Sequence, residues 1–429
     1  MKPASRIQAN IEILESLEKV RMPMDSRIGD YMRHRRYIGS KDRAEIAERA
    51  YHIMRAHARL AWWLSRLALP DTPRNGVILW LALGEQIDLK RFSALFDGTQ
   101  YAPEPLTESE IQWLSALERQ PLNHPDMPES VATECPVLYE APLKEYFGET
   151  FHDEMSAMLA PATLDLRVNI FTCTREKARV SLEEDGVPTT LTPYSPWGLR
   201  CENKAFLSKT KAFQKGWVEI QDEGSQCISA LCGAQPGMQV LDFCAGGGGK
   251  TLALGSAMQR KGRIVAMDND EKRLERGRIR YRKAHLADII EVRPLSDEKH
   301  RKWLRRQKET FDIVLTDVPC SGSGTWRRNP DLRWRPIGPS LEELTVLQAG
   351  ILDKVAPCVK PEGHLVYATC SLLPAENEEQ ITAFLKRHDS FEIDPVPPQA
   401  GLGSPFMRLT PLRHNTDGFF AARLKKKSV

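Results

Sequence analysis

From Gly216 to the end of the chain, short apolar runs alternate with amphipathic stretches, and that alternation limits the fold more than any other feature. Val240-Leu241-Asp242-Phe243 leads at once into a glycine-rich turn and a helical stretch from Thr251 to Met258. Ile264-Val265-Ala266-Met267 ends at Asp268 and precedes a strongly basic helix, Glu271 to Ala284. Ile289-Ile290-Glu291-Val292 reads as a third strand and Ile313-Val314-Leu315 as a fourth. A helix from Leu341 to Val355 comes before the fifth, Leu365 to Ala368. Glu376 to Arg387 is again helical, and Gly418 to Leu424 closes the chain as a strand before a lysine tail. Strands this short and this apolar are covered on both faces, as in a parallel sheet flanked by helices. The expectation is an α/β, Rossmann-like doubly wound sheet with its ligands at the carboxyl edge of the strands.

A chain of 429 residues has room for about three domains. Residues 1–135 read as all-helical, with Ile7, Ile11, Ile13, Leu14 and Leu17 at helical spacing and a second helix over Ala44 to Met54. Residues 136–215 read as a small α+β unit, with a strand at Asp165 to Ile170, a helix at Arg175 to Glu184 and a connecting loop from Thr189 to Gly198. The proline-rich, acidic stretch Pro121 to Pro136 between these regions reads as a linker. Residues 216–429 hold the doubly wound sheet.

Several classes are disfavoured. With 41% hydrophobic and 27% charged residues the composition is that of a soluble globular protein. No apolar span is long enough to cross a bilayer, and Glu12, Glu15 and Glu18 interrupt the first helix, so neither a signal peptide nor an anchor is expected. The nine cysteines are an odd number, scattered and without a Cys-x-x-Cys pair, which fits a reducing cytoplasm. Cys227 and Cys232 lack a matching histidine pair, so core packing is expected there and no metal. The net charge of +3 is modest, but Arg33, His34, Arg35, Arg36, Tyr37, Lys41 and Arg43 cluster, as a surface for a nucleic-acid backbone does.

The residues at the strand ends carry the chemistry. Pro319 stops the ladder after Asp317, and Ser321 to Gly324 is turn sequence, so Asp317 and Cys320 should project from the sheet's ligand edge. Thr369-Cys370-Ser371 ends a strand expected beside that one, which brings a second thiol to the same edge. A free thiol has a pKa of about 8.5, so a nucleophilic cysteine needs cationic neighbours, and Arg327 and Arg328 are candidates. Trp326, Arg327, Arg328, Arg333 and Trp334 interleave stacking and cationic groups in the manner of a base-binding loop. After the first strand, Gly249-Lys250-Thr251 matches the end of a P-loop, but the position five residues before Gly249 is Cys244 rather than glycine. The alternative is a glycine turn under an adenosine cofactor, with Asp268 at the next strand's end to bind ribose hydroxyls. Asp242 reads as a strand-end partner for Lys250.

Together these segments resemble a known family. Gln221 to Gln226, the Cys244-Ala245-Gly246-Gly247-Gly248-Gly249-Lys250 loop, Asp317 to Gly322, Arg328 to Asp331 and Tyr367 to Ser371 are similar, in order, to the motifs of the Nol/Nop/Sun RNA cytosine-5 methyltransferases. Within that family the chain resembles the ribosomal small-subunit type, and its first helices resemble the NusB-like RNA-binding domain of that branch. The resemblance implies S-adenosyl-L-methionine as cofactor and RNA as substrate, 16S ribosomal RNA ahead of transfer RNA, with a non-catalytic RNA-binding assembly factor of the same fold as the alternative; a monomer is expected. It implies Cys370 as nucleophile, Cys320 as the residue assisting release, and Asp317 on the N3 and N4 edge of the cytosine. Residues 244–250 and Asp268 would hold the cofactor, and Lys250 would lie close to Asp317. The chain departs from the family at Gly246 and Gly247, where alanine and proline are usual, which should loosen the loop. The Gly-Asp that usually follows the third strand is also missing, and Asp297 is the nearest acidic substitute.

Overall fold

The computed structural model describes residues 1–335, 337–397 and 401–428. They form two compact units, Met1–Ala160 with Trp326–Gly338, and Pro161–Thr325 with Pro339–Val429.

The first unit is helical. Its opening helix, Pro3–Lys19, starts with proline in the first turn, where the missing N–H costs nothing, and buries Ile7, Ile11, Leu14 and Leu17. Asn10 is buried on the same helix and donates from Nδ2 to the Ile46 carbonyl at 2.7 Å, pinning it to the helix Ser40–Arg55. The expected linker at 121–136 is packed structure instead. Leu122 accepts a bond from the Trp63 indole at 2.9 Å. Glu134, fully buried, caps the helix His57–Arg66 by accepting from the amides of Ala58 and Arg59 at 2.8 and 3.1 Å and from Arg59 Nε at 2.8 Å. A cap supplied from 75 residues away leaves no local signature, so proline and acid content alone misread the segment. Two further helices, Val137–Phe147 and Phe151–Ala157, belong to this unit, so its edge falls at 160 and not at 135. Glu134→Ala strips a buried cap and leaves the half-buried Arg59 without its carboxylate, so a loss of about 3 kcal/mol is expected, read as a lower urea midpoint.

Trp326–Gly338 is counted with the helical unit, which corrects the reading of this stretch as an open base-binding loop. Trp326, Arg327 and Arg333 are all buried, with the Arg333 guanidinium 4.7 Å from the Trp326 ring centre. Arg55 donates to the Arg327 carbonyl at 2.8 Å, Met24 N donates to Asp331 at 2.9 Å, and Trp334 lies 5.1 Å from the His57 ring. Trp326, Arg327 and Arg333 are spent on packing here.

The second unit holds two sheets. The smaller is antiparallel in the order β2-β3-β1-β4, formed by β1 Asp165–Val168, β2 Thr189–Leu191, β3 Gly198–Cys201 and β4 Val218–Ile220. The stretch Thr189 to Gly198 was expected as loop; its two flanking strands are too short to show alternation. The larger sheet has eight strands: β5 Gln239–Phe243, β6 Arg263–Asp268, β7 Ile290–Pro294, β8 Phe311–Asp317, β9 Val359–Thr369, β10 Phe391–Ile393, β11 Met407–Leu409 and β12 Phe419–Lys426. Its order is β10-β12-β9-β8-β5-β6-β7 with β11 against β12, and β7 through β9 run parallel. β12 closes the sheet antiparallel to β9, with Ala421 opposite Ala368. Strand order reverses between β5 and β8, and such a switch point opens a crevice at the carboxyl ends. Among the helices that escaped the sequence reading are Glu223–Leu231 and Glu298–Arg305, the latter so charged that Leu304 alone is buried and no apolar stripe marks it.

Candidate active site

The crevice at the switch point is built by four strand ends. After β5 the chain turns through Cys244, whose φ of +75° is unusual for a residue with a side chain, and both Cys244 N and Ala245 N donate to the Met267 carbonyl at 2.9 Å. Gly246 N donates to Asp268 Oδ2 at 2.7 Å, so the acid at the end of β6 also holds the turn. Gly248 has φ +76°, and a Cβ there would come within 2.1 Å of the Tyr281 hydroxyl, so glycine is required. The unusual Gly246 and Gly247 do not leave the loop slack. A Cβ at Gly246 would meet Arg273 Nη2 at 2.6 Å, and the Gly247 carbonyl accepts from Arg280 Nη1 at 2.6 Å, so arginines of the helix Glu271–Lys283 close over the space.

Lys250 enters from the first turn of the helix Gly249–Ala257 and donates to Asp317 Oδ2, at the end of β8, at 2.7 Å. Burial pulls the Lys250 ammonium down, but the charge and hydrogen bond of Asp317 outweigh it and hold the group above its ordinary value. Asp242, expected as the lysine's partner, instead accepts from the Thr251 hydroxyl at 2.6 Å. Burial pushes the Asp242 carboxyl up to about 7 against the opposing Thr251 bond. Asp297 is not at the crevice; it caps the helix Glu298–Arg305 by accepting from Lys299 N at 2.8 Å, and Leu295 lines the cleft in its place.

The two expected thiols meet. Cys320 Sγ, three residues beyond β8, lies 3.3 Å from Cys370 Sγ at the end of β9, and both cysteines are free. Adjacent parallel strands in register, with Asp317 opposite Ala368, make this possible. Arg327 and Arg328, named as the source of positive bias, are counted with the helical unit, and the Lys250 ammonium interacts electrostatically with Cys370. Two clefts of about 490 and 380 Å³ adjoin, with Cys244, Arg273 and Asp317 lining both. The first is floored by the glycine turn, and the second runs from Asp268 to both sulfurs.

Known proteins point the same way. A family model described as 16S rRNA methyltransferase RsmB/F matches residues 230–425. Ribosomal RNA small subunit methyltransferase B of Erwinia tasmaniensis is 31% identical over 91% of this chain and 92% of its own length. The chain belongs to the RsmB/F methyltransferase family. The probable ribosomal RNA small subunit methyltransferase B of a Synechocystis strain is 36% identical over 62% of the RsmB/F chain, a match that spans 60% of that relative. Among solved structures, PH0851 superposes with a TM-score of 0.79 at 26% identity, covering 99% of each chain.

The fold is that of the S-adenosyl-L-methionine-dependent methyltransferases, and this compound is the cofactor of the RsmB/F chain. The cleft fits it. The glycine turn is a cradle that side chains would fill, the buried Asp242 Oδ1 has no partner, and Asp268 stands at the second strand's end where ribose hydroxyls are held.

Sequence reasoning missed three residues around this site. Arg167, in β1 of the small sheet, is fully buried and donates from Nη1 both to Gln221 Oε1 at 2.5 Å and to the Gly249 carbonyl. Burial draws its guanidinium down to about 10. Arg273 closes the cofactor turn, and Glu376 sits behind the thiols. Nothing local distinguishes an arginine or glutamate of this kind; what places it is a partner many residues away.

Proposed function

We propose that this RsmB/F methyltransferase makes 5-methylcytosine in 16S ribosomal RNA through a covalent bond between Cys370 and C6 of the target cytosine. The observation that carries this reading is the 3.3 Å meeting of two sulfurs beside the Lys250 and Asp317 pair. C5 of cytosine is too weak a nucleophile to take a methyl group unaided. The Cys370 sulfur adds to C6 as the proton it gives up is taken up at N3, and the electron pair of the C5–C6 double bond becomes available at C5. Asp317 accepts from the N4 amino group and from protonated N3, which stabilises the adduct, and Lys250 orients that carboxylate. S-adenosyl-L-methionine supplies the electrophilic methyl group when bound. After C5 has lost its proton to water, that electron pair re-forms the C5–C6 double bond, the C6–S bond breaks, and its electron pair returns to Cys370, which recovers the proton given up by N3. The Cys320 thiol meets the departing sulfur as a hydrogen-bond donor. One sulfur therefore attacks and the other assists release.

In the helical unit, the cluster from Arg33 to Arg43 is the proposed RNA surface. The Arg33 side chain is 70% exposed and Tyr37 stands free of the core. Contacts to phosphate from such groups make binding salt-dependent. We assign the protein to the cytoplasm as a monomer, beside its RNA.

Purified protein, cofactor and unmodified 16S ribosomal RNA, followed by bisulfite sequencing, test the reading. Protection of a single cytosine is expected. Protection confined to transfer RNA offered in parallel would move the assignment to that substrate, and protection of neither would sink it.

A further inference from the structure

Two thiols 3.3 Å apart cannot both be anionic at modest cost, so once one proton has left, the pair shares the one that remains. Their mutual geometry is symmetric and does not decide which sulfur keeps it. The surroundings are not symmetric. On the Cys320 side lies Glu376, which is fully buried. Its Oε1 accepts from Ser321 N at 2.8 Å and from Gln348 Nε2 at 2.9 Å, and its Oε2 accepts from the Ser321 hydroxyl at 2.5 Å. Three donors and no acceptor are the surroundings of a carboxylate anion, and all three are neutral. A buried negative charge with no cation bonded to it disfavours a second one on the adjoining residue.

The same carboxylate sets the geometry. Ser321, next to Cys320, lies 3.2 Å from the hydroxyl of Ser371, next to Cys370, and Ser323 lies 3.1 Å from Ser371. Gln348 also donates to the Pro319 carbonyl at 2.9 Å, and the Tyr367 hydroxyl donates to the Glu376 carbonyl at 2.5 Å. Other charged groups around the cleft are Lys250, Asp317 and Asp242, Lys354 on the helix Leu341–Val355, Asp268 and Asp270, and Arg273, Arg276 and Arg280. Of these, Lys250 acts on Cys370.

We propose that Glu376 is a positioning residue whose buried charge keeps the shared proton on Cys320, so that Cys370, on the side of Lys250, is the sulfur left free to attack. This rests on the covalent reading given above. In accord with it, the Cys320 thiol is held well above its ordinary value, first by its bond to Cys370, then by burial, then by the charges of Cys370 and Glu376.

The test is competitive alkylation of the full chain without RNA, with limiting iodoacetamide and peptide mass spectrometry. In the unaltered protein Cys370 is expected to label ahead of Cys320. Glu376→Gln keeps the shape: its amide oxygen can accept from Ser321 N and Gln348, and its NH2 can donate to the Ser321 hydroxyl. It should raise the share of label on Cys320 about tenfold, the change that one pKa unit makes in thiolate fraction. Ser321→Ala removes the hydroxyl's bonds to Glu376, Ser323 and Ser371 and leaves the charge, so its ratio should stay at the starting value. Should Glu376→Gln not fold, Gln348→Met serves: it leaves the charge less screened and should lower the Cys320 share. An unmoved ratio in Glu376→Gln, an equal shift in Ser321→Ala, or a raised or unchanged Cys320 share in Gln348→Met overturns the proposal. The covalent reading fails separately, if Cys320→Ala mixed with RNA and cofactor gives no adduct.

Discussion

Cys320→Ala is expected to leave the enzyme joined to its RNA, as a slow-migrating band on a denaturing gel that protease digestion removes. The substitution removes the sulfur contact to Cys370 but leaves Cys370, Lys250 and Asp317 in place, because Lys250 bonds to Asp317 and not to Cys320. Addition and methyl transfer should therefore run at near their ordinary rates. Release is the step that loses its partner: the sulfur that leaves C6 would depart without the thiol that lies 3.3 Å away in the structure. Loss of a positioned proton donor slows a step by about a hundredfold or more, so adduct should accumulate while turnover falls by that factor. The adducted base should already carry its methyl group, which mass spectrometry of the digested complex reads directly. An adduct without the methyl, or normal turnover with no adduct, would mean that Cys320 serves an earlier step or none.

How much of this was legible beforehand depended on whether the signal was local. The strand β8 is an apolar run that ends in Asp-Val-Pro, and each part of that pattern acts within its own few residues, so the element and its site residue could be read directly. The meeting of Cys320 with Cys370 was also accessible, since neighbouring parallel strands deliver their carboxyl ends to one edge. The stretch from Trp326 to Trp334 failed for the opposite reason. Its composition suits base stacking, and its nearness in sequence to Cys320 pointed to the site. Arg55, Met24 and His57, all supplied by the helical unit, decide its fate. Glu134 and Glu376 are likewise single acids in unremarkable surroundings until a distant helix end or a distant serine is brought to them. Asp242 was given the wrong partner because Lys250 and Thr251 are adjacent on the helix and their side chains diverge, one to Asp317 and the other to Asp242.

Cys370→Ala carries the other large effect, and it runs the opposite way, toward no adduct and no product. Without the sulfur at C6 nothing raises electron density at C5, and the cofactor's methyl group has no carbon competent to receive it. Cys320 cannot take over readily. It sits beyond Pro319 on a loop clamped by Gln348 and Glu376, and its thiol is held well above its ordinary value by the bond to Cys370, by burial and by nearby negative charge. Deleting Cys370 removes the first of these, yet burial and Glu376 remain. The rate of methyl incorporation should fall on the order of a thousandfold or more, as when the nucleophile of a covalent enzyme is deleted. Cofactor binding, measured by calorimetry, should be preserved, because the glycine turn and Asp268 make no use of Cys370. The pair of measurements separates chemistry from folding: lost cofactor binding would report a damaged site, and intact binding with undiminished methylation would remove Cys370 from the mechanism. The doubly substituted Cys320→Ala, Cys370→Ala protein should match Cys370→Ala and form no adduct, since a release step has nothing to act on once the bond to C6 cannot form.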